Sequence, residues 1–547
     1  TCHTAKNNAQ QTLTGWGDGS NSNAIGKQDD NWVLLNEFTT WNEADKHHGS
    51  YVVLLQEKSQ QMAKVMGVVD ENGKSMIHRD TRCIACHSGI PIRELEMDPD
   101  HDGLITEAMV NKAELNRGVS CQGCHGTAEG IDQDTLGWDT EHISKWKWRF
   151  LDPHTKAEKF NYYDVRSPVS RTRMCLSCHV GNVREGRVVT HEMYAAGHPP
   201  LPGFEVETFS VQEPQHWRNF HQKSPNIRKE FLEKTKDWRD TDYRADDLHN
   251  TKDLLVGALV NLSEMITLTT DLADPKVSIP FGNERWASGK KGDWPELSSF
   301  SCYACHHDLE DRGWRIQRTP VGVPGRPPLH EWPFLLAEYA VKVTNKGAAS
   351  NLLQDMEKVK LAAVDGPFGN QPELISQGRK LAKDLREYAK GLEDMPLPRT
   401  EAPQMLGQLV ELVQNAQRDN LMLDYDSARQ VVWAMRVIYE DAMRIEPSDT
   451  ELYSKKPLEE RPGWYSKDDA ELTDFQKGMA EFQEIFMVDL RKGKRNDQLF
   501  GNDKRPILKW DAEAAMTPVG SYNPQQFLNA LSNIRSKISE IKVTNGE

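Results

Sequence analysis

Four copies of one short pattern constrain this chain more than anything else in it: Cys83-Ile84-Ala85-Cys86-His87, Cys121-Gln122-Gly123-Cys124-His125, Cys175-Leu176-Ser177-Cys178-His179 and Cys302-Tyr303-Ala304-Cys305-His306. Two cysteines separated by two residues, with a histidine directly after, form the attachment signature of c-type haem. On one helical turn such thiols reach both vinyl groups of a single porphyrin, and the next residue reaches the iron as proximal ligand. The four copies use eight of the nine cysteines. C-x-x-C is also a zinc half-site. Neither zinc nor disulfide pairing explains the histidine after every second cysteine, and zinc leaves the many other histidines unexplained.

The ninth cysteine opens the chain as Thr1-Cys2-His3. Cys2-His3 reads as the second half of a further motif whose first cysteine lies upstream, giving four haems and a fifth. A free terminal cysteine and a haem held by one thioether are the alternatives. Covalent haem is normally attached outside a bacterial cytoplasmic membrane, so the expected chain is exported, with its leader removed, and resides in the periplasm or beyond. No apolar run approaches the roughly twenty residues of a membrane span, and the best, Leu254 to Val260, sits inside a mixed helical pattern.

The 547 residues suffice for two or more compact domains. With 67 basic and 82 acidic side chains the formal charge is -15, and haem propionates make the loaded protein more acidic still. That balance argues against nucleic acid and anionic membrane surfaces as partners, and fits a basic docking partner or plain solubility. The basic-aromatic stretch Lys145 to Phe150 is too short to reverse this, and is expected to pack over a porphyrin edge.

Helical spacing runs from about Thr39 to Gly67 and again from Asp246 to Leu272. The proline- and glycine-rich segment Pro320 to Pro328 marks a boundary. Beyond it lie no cysteines and one histidine, His330, while Leu336 to Met356, Glu373 to Leu392, Met405 to Gln417, Ser427 to Arg444, Leu472 to Leu490 and Pro524 to Ile541 carry amphipathic helical spacing. The expected fold is mainly α: a multihaem core with little β structure over residues 1–330, followed by a haem-free helical domain over 331–547.

Between the first two complete motifs, Asp98-Pro-Asp100-His-Asp102-Gly103-Leu-Ile105-Thr-Glu107 follows a calcium-binding loop with oxygen ligands at positions one, three and five and glycine at six. The closing glutamate is replaced by Met109, so Asp98, Asp100, Asp102 and Glu107 are the candidate calcium ligands. An acidic turn held by its own side chains is the alternative.

Haems that only move electrons usually have both axial positions filled, and paired histidines give lower potentials than histidine with methionine. The proximal set is His3, His87, His125, His179 and His306, and thirteen histidines remain. His191 and His198, seven apart on an expected helix ended by Pro199-Pro200, are the best distal candidates, serving two neighbouring haems. His47, His142 and His216 lie in patterned segments near aromatic residues and complete the candidate set.

Several stretches outside the motifs carry a resemblance to a known family. They are Phe38-Thr39-Thr40-Trp41 with Asp45-Lys46-His47, Gly118-Val119-Ser120, Cys178-His179-Val180-Gly181, His191 to Pro200 with His216-Trp217, and Cys305-His306-His307-Asp308-Leu309. Over residues 1 to about 330 the chain resembles the multihaem cytochromes of the cytochrome c-554 type. The resemblance implies distal roles for His47, His142, His191 and His198, and one five-coordinate haem. The Asp98 loop and the helical tail depart from the small members.

Electron transfer between a redox donor and acceptor is the leading expectation. A redox enzyme acting on a small nitrogen or sulfur compound at an open haem is the rival, although no lysine replaces a proximal histidine and no acid-base set stands out. An extracellular cytochrome filament comes third, because haem is sparse in so long a chain. The tail is free to dock a partner, form a homo-oligomer or cover the haem region.

Overall fold

Helices account for nearly all the regular structure. The computed structural model describes residues 37–444, 472–486 and 522–543, apart from 91–94, 112–114, 127–147, 221–222, 237–243, 278–293, 308–312, 314–322, 346–348 and 419–422 and the single positions 102, 149, 218, 224, 245 and 324. Among the described residues β structure is limited to isolated bridges such as Asp80 with Leu104 and Met97 with Ile105. The fold is mainly α.

The first half carries short helices: α1 (Glu37–Ala44), α2 (Glu57–Val65), α3 (Thr81–His87), α4 (Glu107–Val110), α5 (Cys121–His125), α6 (Pro153–Phe160), α7 (Pro168–His179), α8 (His191–Ala195), α9 (Val206–Gln212) and α10 (Pro225–Thr235). The long helices follow: α11 (His249–Ala273), α12 (Trp332–Thr344), α13 (Ala349–Val364), α14 (Gln371–Leu392), α15 (Ala402–Arg418), α16 (Tyr425–Met443), α17 (Asp474–Phe486) and α18 (Pro524–Ile538).

Local chemistry sets where these helices start and stop. Ser167 caps α7 by accepting from Ser170 N, with Pro168 at the first helical position. Asn370 caps α14 by accepting from Glu373 N, with Pro372 at the second helical position. The helical spacing of Thr39 to Gly67 is interrupted because the Asp45 side chain accepts from His47 N, starting a 3-10 turn over Lys46–Gly49. The expected helix Leu336 to Met356 is two helices, because Asn345 takes the left-handed conformation (φ 37°) after Thr344 and ends α12.

α11 is the centre of the molecule. It packs most extensively along α14 and also touches α7, α9, α12 and α16. One apolar core runs from Leu176 through Leu254, Leu259, Phe334, Leu381 and Met435 to Phe527 and Ile538, so residues on both sides of position 330 share it. Two small clusters, around Tyr51, Ile84 and Leu115 and around Met62, Ile77 and Leu104, serve the segment near the first motif. Among the described residues α11 alone is long and apolar enough to cross a membrane, and 78% of its apolar window is buried in this core.

α11 and α14 meet at Gly378, where an added methyl would lie 2.5 Å from Thr270 Cγ2 and 3.1 Å from Ile266 Cγ2. Thr270 cannot readily turn away, since it is fully buried and its hydroxyl bonds Thr267 O at 3.1 Å. Gly407 in α15 has open space at the same position. Gly407→Ala should therefore stabilise by about 1 kcal/mol through helix propensity, whereas Gly378→Ala should cost roughly 1–3 kcal/mol through overpacking. Thermal melts of the two variants check the opposite signs, and a stabilised Gly378→Ala would contradict the close approach.

Candidate haem-binding site

Each C-x-x-C-H segment forms a single helical turn. Cys83–His87 ends α3, whose N-cap Asp80 accepts from Arg82 N. Cys121–His125 is α5, and Cys175–His179 is the last turn of α7. Cys302–Ala304 is a 3-10 turn, with His306 N donating to Cys302 O at 2.7 Å. The turn places both thiols of a motif on one side and the histidine beside them. All eight described cysteines are free thiols. Among the described residues no cysteine belongs to a group of three side chains close enough to share one cation; the one such group is Asp45, His47 and Glu213.

Three of the four described proximal histidines face a second histidine. His87 and His198 have ring centres 6.5 Å apart with planes at 75°, His179 and His47 6.1 Å at 88°, and His306 and His191 6.2 Å at 30°. Two imidazoles bound to opposite sides of one metal have centres about 6 Å apart, since the bond is about 2 Å and the ring centre about 1 Å beyond the nitrogen. All three separations are close to that distance.

The route to this arrangement differs from the expected helix. α8 ends at Ala195, and Gly197 (φ 111°) turns the chain so that His198 N donates to Met193 O at 2.9 Å. His191 and His198 thus diverge by a turn, not by spacing along one helical face. Thr190 caps α8, and Glu296 Oε1 accepts from His191 N at 2.8 Å, tying this histidine to the segment before the Cys302 motif.

Hydrogen bonds at Nδ1 leave Nε2 as the ligand atom in several rings. His87 Nδ1 donates to Ser50 O and His198 Nδ1 to Pro199 O, both at 2.7 Å. His47 Nδ1 donates to Asp45 Oδ1 at 3.0 Å, a carboxylate–histidine arrangement common behind metal ligands. Burial lowers the pKa of His87, and with a charge contribution from His87 lowers His198 to about 4. Burial, with a smaller effect of His47, also takes His179 to about 4. These imidazoles are neutral at pH 7, as metal binding requires. In His47 burial opposes protonation, but Asp45 and Glu213 prevail and raise it to about 9, so a metal at Nε2 would displace that proton.

Among the described residues the fourth motif histidine has an aromatic neighbour. His125 stacks on Tyr162, centres 5.5 Å apart and planes at 14°, and Tyr163 N donates to His125 O at 2.8 Å. Trp148 meets the Tyr162 edge at 5.2 Å, and Lys156 Nζ lies 5.2 Å and 5.6 Å from the two ring centres. Burial, with Arg166 nearby, lowers Lys156 to about 8 despite its ion pair with Asp164 at 3.4 Å. His216, edge-on to Trp217, lies within electrostatic reach of both His125 and Asp45. Cys2, His3, His142 and Asp102 lie outside the described residues.

Arg187, which no motif singles out, is buried between two haem turns. Its Nε donates to Ala85 O at 2.9 Å inside the Cys83 motif, and its Nη1 donates to Ser177 Oγ inside the Cys175 motif. Cys86 and Cys178 lie within electrostatic reach of each other, so the two motifs come close at their second cysteines. The bridge Asn182 with Arg187 holds the hairpin that delivers the guanidinium.

In the acidic loop Gly103 takes φ 76°, as a tight turn there requires. Asp98 and Glu107 both pair with the buried Arg79, Glu107 at 2.9 Å, while Asp98 also accepts from Asp100 N and His101 Nδ1. Arg79 Nε donates to Ile105 O at 2.9 Å. Two of the four calcium candidates are therefore paired with one arginine.

Helical turns that present paired thiols beside an imidazole are what covalent attachment of haem c requires. Residues 35–126 match the family model described as cytochrome c554 and c-prime, and over this stretch the chain resembles that family. The match takes in His47 and the Cys83 and Cys121 motifs; the resemblance read from the sequence extended further, to about residue 330. No curated protein and no solved structure matches the chain.

Removing the Arg187 clamp strands buried carbonyl and hydroxyl groups, so Arg187→Ala should lose roughly 1–3 kcal/mol. Equilibrium denaturation measures this, and unchanged stability would show that the clamp carries nothing. At the acidic loop, chelation with EDTA should leave the melting temperature unchanged, while Arg79→Ala lowers it by several degrees. A drop on chelation would instead reveal a bound cation.

Proposed function

We propose that the chain is a multihaem c-type cytochrome that passes electrons between a redox donor and an acceptor, with haems at the Cys83, Cys121, Cys175 and Cys302 motifs and a fifth at Cys2-His3. The observation that carries this reading is the set of three histidine pairs at 6.1–6.5 Å, each joining a motif histidine to one distant in sequence. Bound haem supplies one-electron chemistry with low-potential bis-histidine ligation. His47, His198 and His191 close the second axial side of the His179, His87 and His306 sites, Asp45 and the Ser50 and Pro199 carbonyls fix the ring tautomers, and Arg187 sets the spacing of two sites. The partners are redox proteins, a basic surface suiting the acidic chain, and the compartment is the periplasm or beyond.

A second reading comes from the resemblance to the cytochrome c-554 type, which implies one five-coordinate haem, and among the described residues the ring stacked on His125 is that of Tyr162. An open axial position there would make the protein an oxidoreductase for a small nitrogen or sulfur compound, unless His142 or His216 fills it.

Mass spectrometry of the intact protein should give five haems; four, with a free Cys2 thiol, would remove the terminal site. In the electron paramagnetic resonance spectrum of the oxidised protein, His198→Ala should turn the Cys83 haem high-spin and His191→Ala the Cys302 haem. Unchanged spectra in both variants would refute the pairing. A high-spin signal in the unsubstituted protein that responds to nitrite, hydroxylamine or sulfite decides for the second reading, and its absence decides against it.

A further inference from the structure

The cysteine-free helical region approaches the Cys175 motif around His179. His179 closes α7, and its ring packs against both Phe204 (5.4 Å, 38°) and Phe209 (5.4 Å, 76°), which also touch each other at 4.4 Å. Phe209 belongs to α9, and behind it stands Trp433 of α16, edge to face at 6.1 Å and 84°. Arg429 lies over the Trp433 ring at 4.6 Å, which holds the indole in place.

Three further contacts bind the same segment to the helical region. Arg436 Nη2 donates to Thr208 Oγ1 at 2.9 Å, both residues being buried. Gly203 sits so close to α12 and α16 that a methyl there would lie 3.0 Å from Gln430 Nε2 and 3.3 Å from Trp332. At the other end of α7, Glu393 accepts from Ser167 Oγ at 2.6 Å and from Val169 N at 3.3 Å. The helical region thus grips the start of the helix that ends in His179 and the two adjoining rings that touch its imidazole.

We propose that this region is the scaffold that fixes the ring plane of His179, with Trp433 as a positioning residue acting through Phe209. The inference rests on the reading that His179 and His47 bind one haem iron from both sides. The consequence is electronic. Each imidazole donates π density along one direction, so crossed planes leave the two iron d orbitals concerned nearly degenerate, and parallel planes split them. The His47–His179 pair is crossed at 88° and depends on α16 to remain so, while the His191–His306 pair is at 30°.

The test uses the full-length, haem-loaded protein and its low-temperature electron paramagnetic resonance spectrum, with His47→Ala assigning the low-spin signal that belongs to this haem. Crossed planes give that signal a large maximal g value. Trp433→Ala should shift it and the midpoint potential of the same haem, leaving the other low-spin signals in place, and Trp433→Phe should restore it. Phe209→Leu, which keeps much of the apolar volume and removes the edge contact, should act likewise, and covers the case in which Trp433→Ala does not fold. An unchanged signal in both variants, or equal loss of every haem signal, overturns the inference. A haem-loaded protein with no low-spin signal that His47→Ala removes overturns the underlying pairing instead.

Discussion

The rest of the structure depends on the burial of α11. Most faces of this 25-residue helix are covered, including those bearing Thr251, Asn261, Ser263 and Thr270. A helix that is apolar nearly all round finds stability only inside a larger assembly, so α7, α9, α12, α14 and α16 collect around it. Its few polar groups then choose among ways of packing: Asn261 Nδ2 donates to Phe204 O at 2.7 Å, Ser263 Oγ to Ala382 O at 2.8 Å, and Thr251 N to Asp441 Oδ2 at 2.8 Å. Each is a buried donor that needs its partner, so displacement of one helix leaves groups unsatisfied on two.

Charge fixes the same register from the haem side. Arg171 of α7 donates to Glu207 of α9 and Asp253 of α11, both at 2.7 Å. Burial pushes the Glu207 carboxyl well up, and the Arg171 charge works against that rise. Such a buried cluster adds little net stability over an apolar one, but an unpaired member would be costly. Its effect is to specify one mutual position for three elements. Arg171 stands one helical turn before Cys175, so that position is transmitted to the attachment turn of the third complete motif.

How much of this was legible follows from the range of the chemistry. The motif turns were, because thioether spacing and the ligand histidine are contained in five residues. The amphipathic tail helices were too, since a 3.6-residue period is local. The breaks were less so: Asn345 and Asp45 end helical runs through their own backbone and side-chain preferences, which an apolar stripe does not reveal. Spacing pairs His198 with His191, yet Gly197 re-aims it, and a glycine's positive φ is not written in the pattern. Tyr162, Arg187, Phe209 and Trp433 belong to no motif. Their roles exist only after folding brings residues far apart in sequence into contact; the sole hints were the aromatic clustering near Trp148 and the tryptophan inside an amphipathic helix.

The distribution of apolar cores explains why a haem-carrying chain extends so far beyond its last motif. Around the first motif, short helices bury only two small clusters, too little apolar surface to offset the ordering of so many loop residues. Covalently held porphyrin is itself a large apolar body, and supplies core there once attached. It does not, however, set ring planes, because a porphyrin bound through thioethers leaves the imidazole free to rotate about its bond to the metal. Rotation is stopped by groups that touch the ring or its Nδ1. For His87, His198 and His47 these are nearby carbonyls and a carboxylate, available within short loops. The described ring contacts of His179, besides His47, are Phe204 and Phe209, and aromatic contacts hold an angle only when their far sides are packed. That packing comes from α11, α12 and α16, so the order of this imidazole is tied to the packing of helices that carry no cysteine.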